Sequence, residues 1–355
     1  METRTSVKDE PLPLRMIKGF AEAYPGCYRA CDDFVRRSKA EMGWWNMVDI
    51  PIGATIGIMQ ETYGVRSLVG AAQKGAVLQA FYSWRRYKEI FSVDPDLCAV
   101  LLEKSGYDSD SDIPTDSLLQ LPYRSLYTDC EFTIAGLHVC GFFVSYDDDF
   151  GVEAGDPARH ELRILYVCSD GYTGALYVPL VRGRRLGDVL MEVRGGEEMG
   201  RDRVEEITGF CEPFIKILLY LCCDNADIAE DTLQKPYTRK ATVMSAIKDI
   251  PREVRVWDVG WRIGRPLRIS LDGSRNANGI VKGPGGEQAD GNHGSRTGRG
   301  GAGVSKRPHV RAGHFHHFWK GTGADRHLVL HWLPPVPVNC SYDNEAAATV
   351  RKLTV

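Results

Sequence analysis

The 355-residue chain lacks a long hydrophobic run. Its most apolar stretch, FIKILLYLCC, is interrupted by Lys216 and has about half of the roughly 20 residues that a membrane-spanning helix needs. The N-terminal segment METRTSVKDEPLPLRM carries charges with no apolar segment behind them, which argues against a secretory signal peptide. We therefore expect a soluble, cytoplasmic protein with neither a signal peptide nor a membrane anchor.

A cysteine framework and the common catalytic motifs are also missing. The ten cysteines lie mostly inside apolar runs, and no two of them form a Cys-x-x-Cys pair. This placement predicts free, buried thiols in a reducing compartment. The chain has no Gly-x-Ser-x-Gly elbow, no His-Glu-x-x-His helix and no phosphate-binding loop. These absences favour a protein that binds a macromolecule, and we predict no enzymatic activity, no catalytic residue and no cofactor.

What the sequence does contain is the pattern of an α+β protein. Apolar residues recur at helical spacing, most clearly through Ala71–Phe91, so we predict a helical N-terminal unit over residues 1–105. The segment between its helices is broken by Pro51 and Gly53, and we expect a short strand or a loop there.

A central α+β region is predicted over residues 117–271. The runs CEFTIAGLHVCGFFVSYD, HELRILYVCSD and GALYVPLV are rich in β-branched and aromatic residues and predict an antiparallel sheet. The runs LGDVLMEV and EEITGFCEPFIKILLYLCC return to helical spacing, and we expect them to pack across that sheet despite Pro213.

The C-terminal part changes in composition. Eleven of the 33 residues from Asp272 to Val304 are glycine, which predicts a flexible linker over residues 272–304. Residues 305–355 then hold two strand-like runs joined by KGTGADR, and we predict a β-hairpin rich in His and Trp that completes the core. Residues 272–335 hold nine Lys or Arg against four Asp or Glu, so positive charge is concentrated here.

A metal site in this hairpin is one interpretation of its histidines. On a strand, His314 and His316 point to one side, and His331 on the facing strand would supply a third imidazole. Only Asp325 or Cys340 falls near a supporting spacing. Histidines that pack and form hydrogen bonds explain the pattern better, and we predict no bound metal.

A nucleic-acid surface is a second interpretation of the same region. Basic side chains that would contact phosphates alternate with aromatic ones that would stack on bases. The residues that we assign to contact with RNA or the ribosome are Arg296, Arg299, Lys306 and Arg307. The alternative is that the aromatic residues form a sheet core and the charges form a solvated rim, and the sequence leaves both open.

The C-terminal string PHVRAGHFHHFWKGTGADRHLVLHWLPPVPVN resembles the closing motif of a protein family that is encoded on plasmids and other mobile elements. That motif is His-Val-Arg-x-x-His-x-His-x-x-Trp followed by Leu-Val-x-x-Trp-Leu-Pro-Pro. The family includes the second-described group of type V-A anti-CRISPR proteins. Further similarity to its central region lies in SLLQLPYRSLYTDCEFTIAGLHVCGFFVSYD, ELRILYV and ALYVPLVRGRRLGDVL, so the resemblance covers about Thr115–Asn339.

The resemblance implies a protein that blocks type V-A CRISPR immunity by lowering production of the RNA-guided Cas nuclease. The implied partner is the N-terminal segment of that nuclease as it emerges from the ribosome, and the implied outcome is loss of the encoding mRNA. The ribosome and the message are possible further partners. Of the motif positions shared with the family, we take six as candidates for peptide binding: His309, Arg311, His314, His316, Trp319 and Trp332. An exposed sheet edge with aromatic pockets is a common way to recognise an extended peptide.

Two other functions stay open. One is an RNA-binding protein or ribonuclease that acts on the message directly, with the histidines as general base and acid and Arg311 stabilising charge at phosphorus. It would be favoured if His314 and His316 pointed into an open cleft. The other is a family member with a different protein target, since a fold does not fix its ligand.

Overall fold

The structure, a computed structural model, describes residues 10–41, 50–106, 113–148, 159–181, 183–192, 201–229, 253–279 and 309–338. Its helices are α1 Leu12–Ala23, α2 Cys27–Glu41, α3 Ile52–Glu61, α4 Leu68–Trp84, α5 Pro95–Lys104, α6 Leu186–Glu192, α7 Arg201–Leu221 and α8 Gly264–Gly279. Its strands are β1 Glu89–Val93, β2 Ser105–Gly106, β3 Ser125–Ile134, β4 Leu137–Asp148, β5 Arg159–Cys168, β6 Thr173–Val181, β7 Arg255–Val259, β8 His309–Arg311, β9 Gly313–Lys320, β10 His327–Leu333 and β11 Val336–Val338. The predicted α+β class is confirmed.

A six-stranded sheet in the order β6-β5-β4-β3-β1-β7 forms the centre of the molecule. The strands β3 to β6 pair antiparallel, as the three β-rich runs predict. β1, which the sequence did not predict as a strand, lies between β3 and β7 and is parallel to both, so two parallel pairs are added to the predicted antiparallel strands and the sheet is mixed. Between β1 and β3, α5 returns the backbone to the same end of the sheet, so these two strands are parallel. A longer stretch of chain does the same before β7 begins.

The helix predicted through Phe91 ends earlier, at Trp84. Lys88 has a φ of 54°, a left-handed conformation that a regular α-helix does not contain, and the chain leaves this turn as β1. Apolar residues at Ile90 and Phe91 therefore alternate between the two faces of the sheet instead of following a helical stripe. β1, which the sequence assigned to a helical N-terminal unit, belongs to the central sheet.

Two other expectations are also corrected. The segment after Pro51 forms α3, because a proline just before a helix has a favourable φ and its missing N–H removes no helical hydrogen bond. α8 continues to Gly279, so residues 272–279, which the sequence assigned to a flexible linker, are helical. Leu267 and Leu271, one helical turn apart, pack against the main core and hold this helix in place. Residues 280–304 lie outside the described residues.

The sheet separates two layers of helices. On one face, Phe143 of β4 contacts Phe81 of α4 with ring centroids 5.0 Å apart. On the other face, the neighbouring Phe142 contacts Phe214 of α7 at 5.2 Å. α1 and α4 cover the first face, with α2 and α3 packed against α4, and α5, α7 and the C-terminal strands cover the second face.

The predicted C-terminal hairpin is present and completes the core. β9 and β10 pair antiparallel, and β2 adds to β9 as a short parallel strand. Phe315, Leu330 and Trp332 from this hairpin are buried in the same core as the second face of the central sheet. β8 and β11 form a separate two-stranded pair.

No disulfide joins any of the nine cysteines of the described residues, and eight of these cysteines are buried. Burial raises the pKa of the Cys27 thiol to about 11, which keeps that thiol protonated and unreactive at neutral pH. Across the described ranges, no helix is both long and apolar enough to span a bilayer.

Candidate functional site on the C-terminal hairpin

The hairpin β9–β10 has two faces because side chains alternate along each strand. Residues that lie directly opposite each other in the register share a face. One face, which we call the outer face, carries His314, His316, Phe318, Lys320, His327, Val329, His331 and Leu333. The other, the core face, carries Phe315, His317, Trp319, Leu328, Leu330 and Trp332.

Trp332 on the core face is a structural residue. Only 2% of its surface is exposed, and its indole N–H donates to Oγ of Ser105 at 3.0 Å. Its ring also meets that of Tyr220 edge-on, with centroids 5.4 Å apart. A peptide cannot reach this side chain without displacing the hairpin, so Trp332 is left out of the candidate binding surface.

His317 also serves the core face. Its side chain is half-buried, and Nε2 lies 3.1 Å from Oγ of Ser117. Burial, with a smaller contribution from the nearby His316, lowers the pKa of His317. The environment therefore favours the neutral imidazole, and this histidine connects the hairpin to the turn at residues 115–120.

The outer face presents a continuous row of rings. The imidazoles of His314 and His316 are exposed, with centroids 6.5 Å apart. The ring of Phe318 lies between those of His316 on the same strand and His331 on the facing strand, with centroids 4.8 Å and 5.1 Å away. Exposed aromatic groups held side by side on a strand pair are typical of a protein-binding surface.

Two residues that follow α7 hold the hairpin from its side. Asp224 accepts from Nζ of Lys320 at 2.9 and 3.0 Å and lies 3.5 Å from Nε2 of His331. The hydrogen bond from Lys320 lowers the pKa of this carboxyl. Asn225 donates from Nδ2 to the carbonyl oxygen of Trp332 at 2.9 Å and accepts from its N–H at 3.0 Å. These contacts fix β10 relative to α7.

The tip of the hairpin extends beyond the core. Trp319 is 59% exposed, and the guanidinium carbon of Arg326 lies 4.4 Å from the centroid of its ring. Leu328, opposite Trp319 in the register, is also exposed. The tip is therefore an apolar platform with a cation stacked on it.

The remaining predicted site residues fall in different places. His309 and Arg311 are exposed, but they lie on β8, which pairs with β11 and not with the hairpin. The structure thus brings together His314 and His316 of the predicted set, with Trp319 at the tip. The predicted nucleic-acid contacts Arg296, Arg299, Lys306 and Arg307 lie outside the described residues.

Sequence reasoning considered His331 as a third imidazole of a metal site, but it did not include Phe318, His331 or Asp224 among the candidates for peptide binding. The period-two spacing of His314, His316 and Phe318 would have placed the ring of Phe318 on the same face. Asp224 had no such signal, because it contacts the hairpin from a segment that is distant in the chain.

The outer face offers little for metal or acid–base chemistry. Within the described ranges, no group of three or more His, Cys, Asp or Glu side chains is arranged to hold a metal ion. His314 and His316 lie on an open surface, neither in a cleft nor in the core.

A cavity of about 890 Å³ lies between α2 and α3, and Arg37, Glu61 and Arg163 are among its lining residues. No residue of the hairpin lines it.

Comparison with known proteins identifies the family. The model of the AcrVA2-like family, described as the anti-CRISPR type V subtype A2 family, matches residues 91–340, which is more than half of the chain. The chain belongs to this family. It is accordingly an anti-CRISPR protein of type V-A, with a Cas-related partner. The matched region begins in β1 and includes the hairpin.

A solved relative agrees with the fold of this AcrVA2-like chain. A crystal structure of AcrVA2 is similar to it with a TM-score of 0.55 and 18% sequence identity, over 92% of this chain and 99% of that one. At this identity the likeness shows a shared fold. No protein of curated function matches the chain.

Proposed function

We propose that this anti-CRISPR protein recognises the N-terminal segment of a type V-A Cas nuclease as a nascent chain and lowers production of the nuclease through loss of its mRNA. It acts by binding, without catalysis. The observation that supports this proposal is the outer face of the hairpin, where the exposed rings of His316 and Phe318 and the partly exposed ring of His331 are neighbours within the region that the family model matches.

The rigidity of the hairpin supports recognition of a flexible peptide. Trp332 and Phe315 anchor the core face, and Asp224 and Asn225 hold the strand β10 from the side. A surface fixed in this way loses little conformational entropy on binding, so the entropic cost falls mainly on the peptide. His314 and His316 project from this fixed support.

The location of the histidines argues for binding over hydrolysis. A ribonuclease needs a general base and a general acid that converge on one phosphate in a site that excludes water. The rings of His314 and His316 are side by side on an exposed strand, with no cleft between them in the described residues. This arrangement favours a contact surface.

RNA binding remains a second candidate because of one feature of the tip. The guanidinium of Arg326 is stacked on the exposed ring of Trp319, and such a pair offers both a phosphate contact and a stacking platform for a base. A family member that binds a different protein is the third candidate.

Calorimetric titration separates these candidates. The purified protein is titrated with a synthetic peptide that copies the N-terminal residues of a type V-A nuclease, with a scrambled peptide, and with single-stranded RNA that copies the start of the message. We expect binding of the first peptide alone, at micromolar affinity or tighter, which corresponds to about -8 kcal/mol.

Variants then locate the contact. Phe318→Ala should weaken peptide binding roughly tenfold or more, as expected for an aromatic contact within an interface. Leu68→Ala, which removes an exposed apolar side chain on α4, is the matched control and should change nothing. Binding of the RNA alone would support the second candidate, and binding of neither ligand would favour a different protein target.

A further inference from the structure

At several sheet edges of the molecule, the outward backbone groups are already hydrogen-bonded or include a proline. Asp224 N–H donates to the Leu330 carbonyl at 2.8 Å, and Asn225 holds both backbone groups of Trp332, so the outer edge of β10 is occupied. The outer edge of β7 is covered in the same way, since Ala229 N–H donates to the Asp258 carbonyl at 2.9 Å. At the opposite end of the central sheet, β6 contains Pro179, which has no N–H to offer a further strand.

The edge of β9 differs. Its neighbour β2 is two residues long and pairs only with Gly313 and His314. β9 continues to Lys320, and in the part of the chain that the structure describes no strand pairs with this edge beyond His314. A partner strand placed in line with β2 would lie along this remaining length.

The register shows which backbone groups face that edge. In an antiparallel pair, residues directly opposite each other point their N–H and C=O groups either towards each other or both away. Trp332 and Leu330 point away from β9, because their backbone groups bond to Asn225 and Asp224. Their register partners Phe315 and His317 therefore point away from β10, as does Trp319 two residues further on.

We propose that a peptide ligand binds as an added β-strand along the edge of β9 from Phe315 to Trp319, in line with β2. This inference rests on the proposed function and specifies its binding mode. The row of alternating N–H and C=O groups at this edge is matched by one kind of ligand, an extended polypeptide backbone.

The side chains around the edge define what such a strand would meet. Peptide side chains on the outer side would lie beside His316 and Phe318, which suits apolar or aromatic residues. Side chains on the core side would lie between Ser117, which already contacts His317, and the exposed ring of Trp319. Selectivity would then depend on every second residue of the peptide.

Backbone methylation of the peptide tests this binding mode. A series of peptides, each carrying one N-methyl group, is titrated into the wild-type protein, with the unmodified peptide as reference. Strand addition predicts losses of roughly tenfold or more at every second position, because each lost N–H removes a hydrogen bond to β9 and the methyl group blocks close approach. Positions between them should bind nearly as well as the reference.

Other patterns lead to different conclusions. If the unmodified peptide binds but methylation has no alternating effect, recognition is through side chains; the edge proposal is then overturned while the proposed function stands. If the unmodified peptide does not bind at all, both are overturned. A free protein that is a dimer in sedimentation, and that the peptide converts to a monomer, would mean that a second copy also uses the edge.

A pair of variants tests the edge from the side of the protein. His317→Ala removes the contact with Ser117 but keeps the backbone N–H at the edge. His317→Pro removes the same side chain and also the N–H. We expect the proline variant to bind the peptide at least roughly tenfold more weakly than the alanine variant. Circular dichroism checks that both variants fold. Equal affinities of two folded variants would contradict strand addition. If the proline variant does not fold, the series of methylated peptides provides the test instead.

Discussion

At the scale of single residues, the two tryptophans of the C-terminal motif have different roles. Trp332 is buried against Tyr220 and donates to Ser105, whereas Trp319 is exposed at the tip beside Arg326. The sequence did not separate them, because period-two spacing assigns residues to two faces without showing which part of a face reaches beyond the core.

The first prediction follows from this difference. Trp332→Ala should lower the free energy of unfolding by about 3–5 kcal/mol, as expected for loss of a buried tryptophan. Trp319→Ala should cost less than about 1 kcal/mol, since it removes an exposed ring and one cation–π contact. Urea unfolding followed by circular dichroism measures both. Similar costs for the two variants would show that the hairpin is not packed as described.

His317 gives a prediction for pH dependence. Because burial lowers its pKa below the ordinary value of 6.5, the unfolded chain binds more protons than the folded protein in the interval between the two values. The free energy of unfolding should therefore decrease as the pH falls through 6.5, and this loss should level off below the folded-state pKa.

The measurement compares urea unfolding of the wild type and His317→Gln on both sides of this interval. We expect the variant to lose less stability than the wild type as the pH falls. His327→Gln, which alters an exposed histidine of the same hairpin, should behave like the wild type. A variant at residue 317 that loses stability as steeply as the wild type would contradict the assigned shift in pKa.

At the scale of elements, the strongest sequence patterns gave correct results. The runs from Cys130 to Val181 predicted strands that the structure contains, and the hairpin with its turn was also predicted. The failures occurred where a long-range contact decided the local structure. β1 forms because it is inserted between β3 and β7, and its residues Glu89–Val93 are all buried, so no alternation was visible.

The same explanation applies to α8. Its residues after Asp272 have the composition of a linker, but Leu267 and Leu271 fix the preceding turns on the core and the helix continues. The candidate site was recovered in part for a related reason. His314 and His316 carried a local pattern, whereas Asp224 and Asn225 contribute through the folded chain alone.

Two glycines in helices provide a prediction at this scale. A Cβ at Gly264 would overlap Oδ1 of Asp94, which caps α5 by accepting from the Leu97 N–H at 2.9 Å. Gly264→Ala should therefore lower the free energy of unfolding by about 1–3 kcal/mol. Gly57→Ala in α3 meets no atom within 4 Å and should raise it by about 0.5–1 kcal/mol.

Thermal and urea unfolding of the two alanine variants measure these effects. The opposite signs make each variant a control for the other, because both replace a helical glycine by the same residue. Stabilisation by the change at Gly264 would show that α8 does not pack against the start of α5 as described.

At the scale of the whole molecule, the proposed binding surface and the N-terminal helices are on different sides of the central sheet. α1 and α4 cover one face, where Phe81 meets Phe143, and the hairpin joins the core on the other face. The family match begins in β1 and therefore includes the sheet and the hairpin but not α1 to α4. The region that the family model matches therefore contains the surface that we propose binds the target.

A reporter measurement tests the central claim, that the protein acts through the nascent N-terminal peptide. Cells that produce the protein carry a reporter preceded by the first codons of a type V-A nuclease. These codons are present in three forms: the native form, a synonymously recoded form, and a shifted form, in which the reading frame is shifted after the start codon and restored before the reporter. The synonymous form keeps the peptide and changes the RNA, and the shifted form keeps the RNA nearly intact and changes the peptide. We predict that reporter mRNA falls with the native and synonymous forms and is unchanged with the shifted form. A loss of mRNA that follows the nucleotide sequence instead would contradict peptide recognition and assign the target to the message.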